Sequence, residues 1–367
     1  MELLDLLKLA TQKGASDLHL MAGVPPVLRV YGEIIVTDFD PLTPAQAEEL
    51  ILRDLPPEKK QVLEQELQLC YSLKVPEVGY FRVAIYYEQG AVGASIRVGM
   101  LDIRTPEELG LPPVVTELTR GPSGLILVTG PTGSGKTTTL NSLIDVINRD
   151  RRCKIIMVED PIEYIHTNKR SIIVQQEVYT DTKSFSRALV HILRQDPNVI
   201  GVGEMRDLET ISTALTAAET GHLVISTLHT PDAPQTVDRI IDVFPAEQQT
   251  QIRMQLANSL EAVISQQLLP RVDTEGRVLA CEVMIANPAV RNIIRENKVQ
   301  SLHNVILTGQ REGMQTMDSC LKDLYQRGII TYDTAVTRAA SPEDLRPAAD
   351  EAAAPTRNGP GKLRISR

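Results

Sequence analysis

The chain has no tryptophan, and aromatic residues make up only 4% of its 367 positions. That excludes an extended base-stacking platform of the kind that holds single-stranded nucleic acid. Positive charge is not in excess either: 38 Lys and Arg against 47 Asp and Glu leave a net charge of −9. A surface built mainly to bind nucleic acid or anionic lipid carries the opposite balance. The four cysteines, Cys70, Cys153, Cys281 and Cys320, are scattered, so there is no Cys-x-x-Cys zinc or redox site. Scattered free thiols fit a reducing, cytoplasmic setting. The apolar N-terminal segment is interrupted by Glu2, Asp5 and Lys8 and reads as a short amphipathic helix, not a secretory leader. No run reaches the roughly 18 uncharged apolar residues of a membrane span, so action at a membrane is expected from outside the bilayer.

What is present falls into two patterns. Residues 1–103 alternate short strand-like runs (17–21, 27–31, 34–36, 69–75, 80–87, 92–98) with helices near 44–54 and 58–67, a small α+β domain. Residues 104–113 hold three prolines and a glycine and read as a linker. From 114 to 340 the pattern is α/β. Continuous apolar strands at 125–129, 154–158, 198–202 and 223–227 alternate with helices, which implies a parallel sheet covered on both faces. After Pro245 helices dominate, with a two-stranded piece at 263–269 and 278–285 among them. Residues 341–367, with four prolines and three large aliphatics, are expected to be a disordered tail.

The strongest chemical signal is a phosphate loop. Gly130, Pro131, Thr132, Gly133, Ser134, Gly135, Lys136 and Thr137 match G-x-x-x-x-G-K-[ST] between an apolar strand and a helix. Glycines let backbone amides converge on phosphate oxygens, and the helix N-terminus adds its positive end. Lys136 would reach the β and γ phosphates of ATP, and Thr137 would ligate Mg²⁺. Such an enzyme needs carboxylates at neighbouring strand ends, one in the Mg²⁺ shell and one to orient the attacking water. Two acidic segments qualify: 155–163, ending in Glu159, Asp160 and Glu163, and 199–207, ending in Glu204, Arg206 and Asp207. Asp207 precedes a helix and is as readily its N-cap. His222 begins a buried strand and His229 lies past its end, on the rim where ligands bind. Lone histidines are more often structural. Arg82 and Arg97 sit among Val, Ile and Tyr, and act only if they reach a phosphate across a domain or subunit boundary.

Taken together the segments resemble the secretion-type ATPases of type IV pili and type II secretion, and within them the pilus-retraction branch. The resemblance runs from Ala15-Ser-Asp-Leu-His-Leu20 to about Gly328. It rests on the Walker A loop, the acidic Val158-Glu-Asp-Pro-Ile-Glu-Tyr164, the atypical Walker B Gly203-Glu-Met-Arg-Asp207, the histidine-bearing 221–230 and the signature Ala289-Val-Arg-Asn-Ile-Ile-Arg-Glu296. It implies a PAS-like N-terminal domain, a RecA-like ATPase domain with a helical C-terminal part, and a homohexamer. It further implies Glu163 as general base, and Glu204 as the carboxylate associated with Mg²⁺, directly or through water. His222 and His229 are expected near the nucleotide, with Arg82 and Arg97 as N-terminal-domain arginines reaching it. The family often has Gly-Arg-Phe-Arg where this chain has Gly79-Tyr-Phe-Arg82, so the first arginine is absent. The four-cysteine zinc module of the extension ATPases is absent too, which favours retraction over extension.

The implied partners are an inner-membrane pilus platform protein and other retraction ATPases, with no nucleic acid, and the implied place is the cytoplasmic face of the inner membrane. The signature helix, with Arg291, Arg295 and Glu296 exposed, is the expected platform-facing surface. Two other classes share the core motifs: a nucleotide-gated module without turnover, disfavoured by Glu163 and Glu204, and a DNA-handling motor, disfavoured by the charge and the missing tryptophan.

Overall fold

The computed structural model describes residues 2–30, 32–99 and 103–345. The N-terminal domain contains α1 (Leu3–Gln12), β1 (Asp17–Leu20), β2 (Val27–Val30), β3 (Glu33–Val36), α2 (Pro44–Leu52), α3 (Pro57–Glu66), β4 (Gln68–Val75), β5 (Gly79–Glu88) and β6 (Ala91–Val98). Its six strands form one antiparallel sheet in the order β3-β2-β1-β6-β5-β4. Side chains alternate across a strand. Phe81, Val83 and Ile85 of β5 and Ile96 of β6 therefore enter a core with Leu6, Leu7, Ile51 and Leu63 of the helices. The same alternation sends Arg82 and Arg97 to the opposite face, directly paired across β5 and β6. This is a small α+β domain, as the alternation of short strands and helices predicts.

The C-terminal domain continues with α4 (Pro113–Leu118), β7 (Gly124–Thr129), α5 (Lys136–Asp150), β8 (Lys154–Glu159), β9 (Ile172–Glu177), α6 (Phe185–Ile192), β10 (Val199–Val202), α7 (Leu208–Glu219) and β11 (Leu223–Leu228). After these come α8 (Ala233–Asp242), α9 (Ala246–Ser259), β12 (Leu260–Pro270), β13 (Arg277–Ile285), α10 (Pro288–Arg295), α11 (Leu302–Thr308), α12 (Met317–Gln326) and α13 (Tyr332–Arg338). The seven-stranded sheet runs β13-β12-β7-β11-β10-β8-β9 and is parallel except for β13. Strands β7, β10 and β11 are buried throughout. One face packs on α4 and α5 and the other on α6 to α11, so continuous apolar strands are required.

Four expectations change. The two-stranded piece is no separate unit: β12 pairs with β7 in parallel and extends the main sheet. The edge strand β9 escapes an apolar-run reading because it ends Gln175, Gln176, Glu177. Within residues 104–113, Leu111 is buried with Val115 and Leu143, so this end of the expected linker packs on the core of the C-terminal domain. The tail expected from Ser341 does not begin there. Asp318 accepts from the amides of Ala340 and Ser341 at 2.8 Å each, and Leu345 is buried against Leu321 and Leu324. The rest of that tail, 346–367, lies outside the described residues.

Candidate active site

The loop after β7 is shaped by glycine. Gly130 has φ +140°, and a Cβ there would lie 2.3 Å from the Gln266 carbonyl oxygen on β12. Gly135, with φ +88°, is the N-cap of α5. Thr139 is the first α5 residue whose amide reaches back, to Gly135 O at 2.9 Å. The amides ahead of it are left for an anion. Lys136 is buried, and its Nζ donates to Gly130 O at 2.9 Å and Pro131 O at 3.0 Å. Burial lowers its pKa, while the nearby Glu204 charge pulls it back up.

The rim completes the site, because β7, β8, β10 and β11 all point their C-terminal ends the same way. Glu204 follows β10. Its Oε1 is 3.0 Å from His229 Nε2 and its Oε2 is 2.7 Å from Arg206 Nη2. His229 Nδ1 lies 3.4 Å from Lys136 Nζ. With a proton on Nε2, the imidazole donates to Glu204 and accepts from Lys136, linking the phosphate loop to the carboxylate at the end of β10. Burial pushes the Glu204 pKa up, but the Arg206 hydrogen bond and the His229 and Arg206 charges together hold it below the usual carboxylate range.

Glu163 lies in the loop after β8. It opens onto the cleft, but the surrounding protein raises its pKa by desolvation, against the opposing pull of Arg97 and Arg82. Two arginines directly opposite on adjacent strands repel. Asp17 relieves Arg97, with Nε to Oδ1 at 3.1 Å, whereas the Arg82 guanidinium has no hydrogen-bond or ion-pair partner among the described residues. Both arginines, the phosphate loop, Glu163, Glu204 and His229 line one cleft of about 620 Å³ between the two domains. Further into the β8 end, Glu159 is buried. Its Oε1 accepts from Gln175 at 3.0 Å, its Oε2 has no partner among the described residues, and desolvation pushes its pKa up to about 7.

Not every candidate arrives. His222 sits before β11, at the other end of the sheet. Its Nδ1 is 3.0 Å from Ala217 O, and it belongs to the α7–β11 turn, not the cleft. A six-residue strand puts roughly 20 Å between it and the rim, so the expectation that His222 lies near the nucleotide fails within the chain. Asp207 is the N-cap of α7, accepting from Thr210 N at 2.9 Å. Arg291 is not a free docking charge: its guanidinium donates to Ala257 O and Asn258 O at 2.7 and 2.8 Å and pairs with Glu261 at 2.9 Å. It caps α9. Conversely, Phe185, Leu268 and Arg277 line the cleft with no motif to announce them. Tyr164, whose hydroxyl is 2.9 Å from Thr138 Oγ1, walls a smaller adjoining space.

Residues 107–341 match the family described as Type II/IV secretion system protein. The chain belongs to this family. It is 46% identical over 345 residues to the type IV pilus retraction ATPase PilT of Pseudomonas aeruginosa, covering 94% of this chain and 100% of that one. A twitching motility protein of Neisseria gonorrhoeae is 43% identical, over 94% of this chain and 92% of its own length. Among solved structures, the pilus retraction motor PilT with bound ADP superimposes with a TM-score of 0.88 at 47% identity, covering 94% of this chain and 99% of that one. No helix among the described residues is long and apolar enough to cross a membrane.

Proposed function

We propose that this member of the family is an ATP-hydrolysing hexameric motor that powers type IV pilus retraction. The observation that carries the reading is the cleft itself: an ATP-type phosphate loop and two acidic strand ends close against a pair of arginines from another domain. Hydrolysis there couples to relative motion of the domains.

The oxygen donors fit Mg²⁺. Thr137 and Glu204 are hard ligands, and Mg²⁺ in such sites takes few protein ligands and keeps waters and substrate phosphates. Held there, the ion would neutralise charge on the β and γ phosphates. ATP phosphates would draw Lys136 from the carbonyls of Gly130 and Pro131. Glu163 would accept a proton from the water that attacks the γ-phosphorus. The bond to the bridging oxygen breaks, and ADP leaves with the electron pair. Arg82 and Arg97 would meet the charge that develops. Loss of the γ-phosphate removes what holds the arginine face against the P-loop face, and the N-terminal domain is then released. In a ring this motion would pass to a platform protein at the cytoplasmic face of the inner membrane, alongside other retraction ATPases.

The test is ATP turnover by the purified chain with and without Mg²⁺, with assembly mass recorded on the same sample. Mg²⁺-dependent hydrolysis by a six-subunit ring is the expected result. A six-subunit ring that binds ATP without turning it over, even with the platform protein added, would overturn the motor reading.

A further inference from the structure

Glu177, the last residue of β9, lies outside every motif, yet it is buried with 4% of its surface exposed. A buried carboxylate demands donors, and these come from both domains. From the N-terminal domain, the Ser72 hydroxyl lies 2.6 and 2.5 Å from its two oxygens and the Tyr80 hydroxyl 3.4 Å from Oε2. From the ATPase domain, Thr180 Oγ1 donates to Oε1 at 3.0 Å and the Ile162 amide to Oε2 at 3.1 Å. Lys59 of α3 also feels it: burial lowers the lysine pKa and the Glu177 charge opposes that. Among the described residues, the bonds of Ser72 and Tyr80 to Glu177 are the only hydrogen bonds joining residues 2–99 to residues 103–345.

Ile162 is the residue immediately before Glu163, and it is itself buried. One carboxylate therefore ties the docking of the N-terminal domain to the backbone that carries the base. We propose that Glu177 is a positioning residue for hydrolysis: it holds Glu163 in place through the Ile162 amide, and is itself held by Ser72 and Tyr80 while the domains are docked. The idea rests on Glu163 being the base. If the domains part, Glu177 loses Ser72 and Tyr80, the 160–164 loop relaxes, and Glu163 leaves its attack geometry. Chemistry is thereby restricted to the docked state. ATP binding, which depends on the phosphate loop, is not.

The experiment measures kcat and equilibrium ATP affinity of the full-length chain for Glu177→Gln, Ser72→Ala, Ser72→Thr and the Ser72→Ala/Glu177→Gln pair, with Glu163→Gln alongside. A loop displaced by about 1 Å costs up to roughly 10²-fold, so Glu177→Gln should lower kcat by about tenfold or more, with ATP affinity within about twofold. Ser72→Ala should lower kcat in the same direction, Ser72→Thr, which keeps the hydroxyl, should restore it, and the double variant should lose less than the product of the two single losses. Should Glu177→Gln fail to fold, Ser72→Ala against Ser72→Thr decides the matter alone. Wild-type kcat in Glu177→Gln or Ser72→Ala beside an inactive Glu163→Gln overturns the positioning role, which acts as a latch between docking and chemistry. Equal losses of kcat and ATP affinity would overturn it too, by assigning Glu177 to general structure. An active Glu163→Gln removes the base on which the latch depends, and that failure is visible separately.

Discussion

His222 and His229 bracket the same strand and have opposite surroundings. At the C-terminal end of β11, His229 bridges Lys136 and Glu204, each within 3.4 Å. At the N-terminal end, His222 closes a helix–strand turn. Only the six residues of β11 separate them, yet only one meets the phosphate loop. The direction of a parallel strand decides this, since every loop that bears on a ligand leaves the same rim. The N-terminal sheet offers the complementary lesson. It contributes through a face: a period of two puts Phe81 in the core and Arg82 on the cleft.

His229→Ala and His222→Ala should separate the two rims. Loss of a group aligned with developing charge costs roughly 10²-fold or more in turnover, and that is expected for His229→Ala. His222→Ala should stay within about twofold. Equal losses measured by steady-state ATPase rates would mean that the opposite rim enters the site, for example in a neighbouring subunit. Lys136→Ala should weaken ATP binding by about 10- to 100-fold, the worth of a charged hydrogen bond lost from a phosphate. Titration with ATP and no change in affinity would contradict the loop assignment.

A finer test uses pH. Glu163 acts as a base only when ionised, so kcat falls as pH drops through its pKa. Burial raises that pKa, and Arg97 and Arg82 oppose the rise. Arg82→Ala removes a stabilising positive charge, so the acid limb of the kcat profile should move to higher pH, with ATP affinity little changed. An unmoved limb would detach Arg82 from Glu163. The smallest effect is on stability. Folded Glu159 keeps its proton up to about pH 7, whereas the ordinary value for an unfolded chain is 4.5. Over that window the native state holds a proton that the unfolded chain has lost, so stability falls as pH rises, by at most about 1.4 kcal/mol per pH unit from this group. Denaturant unfolding of Glu159→Gln should show a correspondingly shallower slope between those two pH values. Identical slopes would mean that Glu159 is ionised in the fold.

Much of this was legible from residues alone, and for a physical reason. A phosphate loop is contiguous, so its glycines, Lys136 and the preceding strand appear together in one line of sequence. The two acidic segments that hold Glu163 and Glu204 were legible because apolar strands end abruptly in acids, whereas the choice of these two acids within them rests on the resemblance. The less visible parts are those that meet only in three dimensions. Leu268 and Arg277 come from the hairpin of β12 and β13, far from any motif. β9 is an edge strand whose polar residues read as loop, although Gln175 and Glu177 support Glu159 and Ile162. Arg291 looked exposed because a signature helix displays its charges in sequence, whereas its partners, the last carbonyls of α9, are more than thirty positions away.

Glu163 is proposed as the group that receives the proton of the attacking water. The most direct test is single-turnover hydrolysis of ATP by wild type and Glu163→Gln, with nucleotide affinity and ring mass measured on both. A general base contributes typically 10²- to 10⁴-fold. The prediction is a loss of about 10²-fold or more in a variant that binds ATP and assembles like wild type. Near-wild-type hydrolysis by Glu163→Gln would exclude Glu163 as the base and move that role to another acid of the rim.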